Sequence, residues 1–368
     1  MKRIFNSLTV LLLISSATYA QQPQNRTTAT KIADVLAQQP AEEKEKFLLA
    51  MHELEGFSSD DVVTFLKGLK APGSNNAPIE FAANSYSFYV NQPGKEQQKR
   101  VFVEGLAKSI AQLSEPTNQV FALRLLRQCA DNTAIPAVAN CLTNDYLADA
   151  AARTLVSIRT PESTAALEKA LAASTTEKTA IALVTALGDL KDKNAESAIL
   201  GLTQKYNSDG FQRTALIALS KIGGTASESL FQEKLNAAGY SYDKLDAVGL
   251  GIDYAQALID NKHDQDAVKF LNKFFQESQK VKSINGQIAS LKLLTTIDPA
   301  KQQKNLLAAV KSDNGAYRNI ALQLLGKYGK GADAKSFLDL ASKGTPEVQE
   351  SVLNYLAHNG SASSLKLI

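Results

Sequence analysis

Between Thr214 and Thr225 the chain reads ALIALSKIGG, and Ala215, Leu219 and Ile222 fall at i, i+4 and i+7 on one helical face. Gly223-Gly224 then closes the helix, because glycine adopts the left-handed cap conformation at low cost. The same spine returns as Ala122/Leu126/Cys129, Ala151/Leu155/Ile158, Leu183/Leu187/Leu190, Ser290/Leu294/Ile297 and Ala321/Leu325/Tyr328, with a last copy around Leu356. The central leucines are Leu126, Leu155, Leu187, Leu219, Leu258, Leu294, Leu325 and Leu356, and their successive spacings are 29, 32, 32, 39, 36, 31 and 31 residues. The two irregular intervals flank Leu258, where AAGYSYDKLDAVGLGIDYAQALID predicts a longer, distorted unit.

A second amphipathic stretch follows most spines: IPAVANCL, STAALEKAL, AESAILGL, ESLFQEKL, DAVKFLNKFF, QKNLLAAV and DAKSFLDLA. Each unit of about 31 residues is therefore predicted to be a helix, a short turn and a second helix. Neither helix can bury its apolar stripe alone, so neighbouring pairs must stack into one continuous core. The absence of period-two runs of β-branched residues agrees with an all-α fold. The expected architecture is a right-handed α-solenoid over residues 114–368, its last unit incomplete.

Upstream, the periodicity predicts helices over Thr30–Gln38, Ala41–Leu54 and Ser58–Lys70, the last opened by a capping box of Ser58 and Asp61. The turn-forming stretch 71–78 (APGSNNAP) reads as a linker. Helices over Ile79–Asn91 and Lys95–Leu113, split by Gln92-Pro93-Gly94, form a divergent pair over 79–113 that is expected to cap the array.

The first twenty residues change the picture of where the chain works. Lys2 and Arg3 precede the apolar run Leu8–Ile14, and Thr18-Tyr19-Ala20 supplies small residues at −3 and −1. This is the layout of a secretory signal peptide cleaved after Ala20, and the run is too short to span a bilayer. The mature chain is expected in the periplasm or outside the cell, without a lipoprotein cysteine, with a polar disordered stretch over 21–29. Loss of Lys2 and Arg3 leaves 38 basic against 37 acidic residues, a balance that gives no global attraction to nucleic acid or an anionic membrane. The two cysteines, Cys129 and Cys141, either pair in the oxidising compartment or serve as small apolar residues of a helical core; the latter is the reading favoured here.

The units lack the Trp-, Gly- and Tyr-bearing tetratricopeptide signature and the ankyrin T-P-L-H motif. The pattern A-L-x-A-L-x-x-I-G resembles short HEAT repeats. Two longer stretches, IEFAANSYSFYVNQPGKEQQKRVFVEGL from Ile79 and LRQCADNTAIPAVANCLTNDYLADAAARTLVSI from Leu126, are similar to a family of exported bacterial proteins, as is DYAQALIDNKHDQDAVKFL within 242–275. In that family such a HEAT region precedes a C-terminal domain of the 3-keto-disaccharide hydrolase type. The resemblance spans roughly residues 79–360 and implies an accessory role beside a glycan-active domain. The sequence stops at SASSLKLI, partway into a further helix, without the β-rich domain, so a fragment of a longer chain or a truncated gene product is expected rather than a stand-alone homologue that lost the domain, and no hydrolase residue carries over.

Candidate chemistry is sparse. His52, His263 and His358 lie in unrelated units. His52-Glu53-Leu54-Glu55 begins like a zinc-protease helix but lacks the second histidine, and Asp264 and Asp266 beside His263 are expected to cap the next helix. Gly249-Leu250-Gly251 lacks the third glycine of a dinucleotide site, and Asn25-Arg26-Thr27 and Asn359-Gly360-Ser361 are glycosylation sequons in spelling only. No catalytic residue, metal site or cofactor is assigned.

In HEAT arrays the second helix of each unit lines the concave side. The residues two before each spine leucine would make a polar ladder there: Arg124, Arg153, Thr185, Ile217, Gln256, Lys292, Gln323 and Asn354. Solvated helix faces explain the same pattern without function. The expected function is a monomeric, non-catalytic scaffold for a protein partner, with the accessory role beside a hydrolase domain as the alternative.

Overall fold

The computed structural model describes residues 26–328 and 342–359, with Phe337 and Asp339 between them. The signal peptide and its cleavage point after Ala20, the final octapeptide, and most of the DAKSFLDLA stretch lie outside the described residues. Among the described residues the fold is all-helical, with consecutive helices packed as an α-solenoid.

Among the described residues five helices precede the regular units: α1 (Thr28–Ala37), α2 (Lys44–Glu55), α3 (Ser59–Leu66), α4 (Ala77–Tyr89) and α5 (Glu96–Ile110). The spine leucines sit on α6 (Pro116–Cys129), α8 (Ala148–Ile158), α10 (Glu177–Asp189), α12 (Asp209–Ile222), α14 (Ala247–Asp260), α16 (Ile284–Ile297), α18 (Gly315–Tyr328) and α19 (Pro346–Asn359). Between them run α7 (Ile135–Ala139), α9 (Pro161–Ala172), α11 (Glu196–Lys205), α13 (Glu228–Ala237), α15 (Asp264–Lys280) and α17 (Pro299–Val310).

All eight spine leucines are buried, from complete burial at Leu126 to 6% exposure at Leu356. They belong to one cluster that runs from Val35 to Leu356 without interruption. From α6 to α14 the spine helices lie along one another, whereas α9, α11, α13 and α15 barely touch each other. A two-layer stack with its helices close in one layer and splayed in the other must bend toward the close layer. The spine helices therefore form the inside of the curve.

Close approach within the inner layer depends on small residues. A methyl group added at Gly188 would sit 2.7 Å from both Cα and Cβ of Ala218 on the next inner helix. At Gly223, whose φ of +63° also favours glycine, it would sit 2.6 Å from Ala257 Cβ. Neighbouring units are tied by polar contacts as well. The Thr154 hydroxyl donates to the Leu123 carbonyl at 2.9 Å, and the Asn261 amide donates to the Ile222 and Gly223 carbonyls at 2.8 and 3.0 Å, satisfying the last turn of α12. Asn132 accepts from Thr160 at 2.7 Å and donates to Glu162 at 3.1 Å.

Several boundaries differ from the sequence expectation for identifiable reasons. Residues 26–29 are ordered rather than disordered: Thr27 caps α1, and Arg26 pairs with Asp34 and, at 2.8 Å, with Glu53. The loop before α4 ends at Asn76, whose side chain bonds both backbone groups of Lys70 at 2.9 Å. Asp264 and Asp266 do not cap α15; His263 is the cap residue, without a side-chain bond, and the two acids lie in the first turn. There they complement the helix dipole instead.

The Ser58–Asp61 capping box forms, with Asp61 N–H donating to Ser58 Oγ at 3.2 Å and Ser58 N–H donating to Asp61 Oδ2 at 2.9 Å. Asp61 also accepts from Thr28 and from Lys31 Nζ (2.7 Å), joining α1 to α3. Burial alone would raise this carboxyl, but the donors from Lys31, Thr28 and Ser58 outweigh it and hold the pKa down at about 2.

Gly188→Ala should destabilise the protein by about 1–3 kcal/mol through helix separation, whereas Gly201→Ala, in open space within α11, should stabilise it by roughly 0.5–1 kcal/mol. Urea unfolding of both variants checks the opposite signs. Because the folded-state pKa of Asp61 is depressed, its contribution is complete above the unfolded-state value and vanishes as pH falls toward 2. Asp61→Asn should therefore cost roughly 2 kcal/mol at pH 7, and the difference from wild type should shrink between pH 4 and pH 2 in unfolding curves taken across that range.

Candidate functional site

Each inner helix presents a solvent face opposite its spine leucine. The 3.6-residue repeat places the positions six and two before the leucine, and two after it, along that face. On α8 these are Asp149, Arg153 and Ser157, all exposed, and Tyr146 extends the row at 52% exposure. On α12 they are Arg213, Ile217 and Lys221, of which the two cations are exposed and Ile217 is half-buried.

Of the ladder positions, Arg124, Arg153, Gln256, Lys292, Gln323 and Asn354 are exposed, one each on α6, α8, α14, α16, α18 and α19. Thr185 and Ile217 are half-buried, so the ladder is interrupted in the middle of the array. Thr185 returns its hydroxyl to its own helix at the Ile181 carbonyl, 2.8 Å away. Arg153 is held by Asp149 through Nε at 2.9 and 3.0 Å, and Gln256 donates to Asp260 at 2.8 Å. Arg124 has no hydrogen bond or ion pair among the described residues.

Arg153 and Thr185 meet at a shallow depression of about 270 Å³ between α6, α8 and α10, completed by Arg127, Asp149, Ser157 and Asp189. Asp189 is bridged at 2.7 Å by Lys221 of the next helix. The sequence reading missed Arg127, Asp149, Asp189 and Lys221, because it followed a single position per helix. The signal was present one turn to either side, at i−4, i+3 and i+4 from the ladder.

Reactive groups do not converge on this surface. Burial pushes the Cys129 thiol up to about 12 and the Cys141 thiol up to about 11. Both are free, and each donates to a carbonyl one turn back, Leu125 and Ala137. His52, with its side chain 70% exposed, lies 3.2 Å from Glu55 on α2, whereas His263 starts α15 and His358 ends α19. Glu55 instead ties the N-terminal helices together by accepting from Lys95 and from the Tyr89 hydroxyl at 2.9 Å. On the outer layer, burial and the neighbouring Glu168 raise the Asp192 carboxyl. Among the described residues no group of three or more His, Cys, Asp and Glu is placed to hold a metal ion, and no helix is long and apolar enough to cross a membrane.

No protein-family model matches the chain, and comparison with curated proteins finds no significant relative.

Proposed function

We propose that this chain is a HEAT-type interaction scaffold, exported as its N-terminal segment predicts, that holds a protein partner along the inside of its helix stack and performs no chemistry itself. The observation that carries this reading is the exposed face repeated on the inner helices, whose polar side chains rest on a fully buried apolar seam. Such a face is a rigid, extended and concave surface, the form that solenoids offer to elongated partners. Its side chains project from helices rather than loops, so they are positioned before a partner arrives and little conformational entropy is lost on binding.

A photo-crosslinking side chain placed singly at Gln256 or Gln323, on the full-length protein in extract of its native host, tests this reading. The expected result is a discrete crosslinked species from these inner positions and none from Lys169 on α9 or Glu233 on α13. Equal crosslinking from inner and outer positions, or none from the inner ones, would refute the scaffold assignment.

A further inference from the structure

The inner face carries an unequal distribution of charge that a near-neutral protein does not require. Over α6 to α12, Asp149 and Asp189 are both engaged, by Arg153 and Lys221 respectively. The charges left over on the same helices are mostly cations: Arg124, Arg127, Lys178 and Arg213 are exposed and have no partner among the described residues, against Glu177 at the start of α10, which accepts from the Ser208 hydroxyl. Immediately before this strip, α4 packs against α6 and exposes Phe81 (45%) and Phe88 (59%). The two rings are seven residues apart, so they share one side of α4. The Asn84 side chain, on the same side, accepts from Gln128 of α6 at 3.1 Å and fixes the register between aromatic and basic regions.

Deepening the scaffold reading, on which this rests, we infer that the partner is an acidic protein segment that lays its carboxylates across α6 to α12 and anchors apolar side chains on Phe81 and Phe88. Charge complementarity selects the occupant. Four unpaired cations on a rigid face attract a run of Asp and Glu, while two aromatic rings cost free energy in water until something apolar covers them. A nucleic acid fits less well. The exposed phenylalanines stand beside the strip rather than among the cations, where they would be needed to stack on bases. Beyond α12 the exposed Asp253 of α14 has no hydrogen bond or ion pair among the described residues. That carboxylate marks where an acidic segment would stop.

The test is fluorescence anisotropy with the full-length protein. The probe is a fluorescein-labelled 14-residue peptide of alternating Glu and Asp that ends in Leu-Phe. Comparison probes are the same peptide with Lys at every acidic position and a single-stranded oligothymidine. The acidic peptide should bind, and binding should weaken as salt is raised. Arg124→Glu combined with Arg213→Glu should weaken it by about tenfold or more, Phe81→Ala combined with Phe88→Ala should weaken it by several-fold while preserving the salt dependence, and Lys169→Glu on the outer layer should change it less than twofold. All substituted residues are exposed, and an unchanged helical circular dichroism spectrum verifies folding. Equal or tighter binding of the lysine peptide or the oligothymidine overturns the inference, as does indifference to the arginine reversals. Inner-face crosslinks that persist while the acidic peptide fails would remove the acidic partner and leave the scaffold standing; failure of both removes both.

Discussion

Everything in this molecule depends on inner helices lying side by side closely enough to share one apolar seam. The seam is made of leucines, but the distance is set by the residues that leave room. Gly188 lies against Ala218 and Gly223 against Ala257 with no space for another methyl group. A stack held this way gains dispersion and hydrophobic stabilisation along its whole length, yet each helix contacts only its neighbours. Stability is consequently distributed, and no single unit contains a core large enough to stand alone. The curve of the array follows from the same contacts, because the intervening helices lack an equivalent close row.

The seam is non-directional, so polar groups must define register. Thr154 reaching the Leu123 carbonyl and Asn261 reaching the end of α12 do this one unit at a time, at separations of 31 and 38 or 39 residues. The longer separation belongs to the unit around Leu258, where the left-handed residues Gly239, Tyr240 and Asp246 carry the chain through a wider connection. At the N-terminal end, Asp61 fastens α1 to α3, and Glu55 fastens α2 to α4 and to Lys95 at the start of α5. A terminal unit has a neighbour on one side only, and charge-assisted bonds offset part of that deficit.

How much of this could be read from the residues varies with the physical signal. The helix pairs and the spine were legible because burial imposes a period that the leucines reproduce. The stop at Gly223 and the box at Ser58 were legible because few residue types suit those backbone conformations. Arg159, Lys191 and Lys262 also take left-handed positions at helix ends, but nothing in an arginine or lysine announces it. The order of Arg26 and Thr27 was hidden for a related reason: a polar, turn-rich stretch looks unstructured until partners from Asp34 and Glu53 are brought to it. The ladder on the inner face was partly legible. Its register was apparent, and the i,i+4 spacing of Asp149 and Arg153 was legible too, but the neutralising of Asp189 by Lys221 depends on inter-helix geometry that periodicity does not encode.

A stack of parallel inner helices exposes a row from each, and neighbouring rows stand about one helix diameter apart, roughly 10 Å. At that distance a charge on one helix interacts weakly with the next unless a long side chain bridges the gap, as Lys221 does to Asp189. Such bridges add little stability at an exposed position. They do remove both members from the field seen by an approaching molecule. The cations left in the field over α6 to α12 are then Arg124 and Arg127 on α6, Lys178 on α10 and Arg213 on α12, spread along a rigid track. Spacing of that kind suits an extended chain with a carboxylate every few residues better than a compact ligand, which could engage only one or two of the four at once.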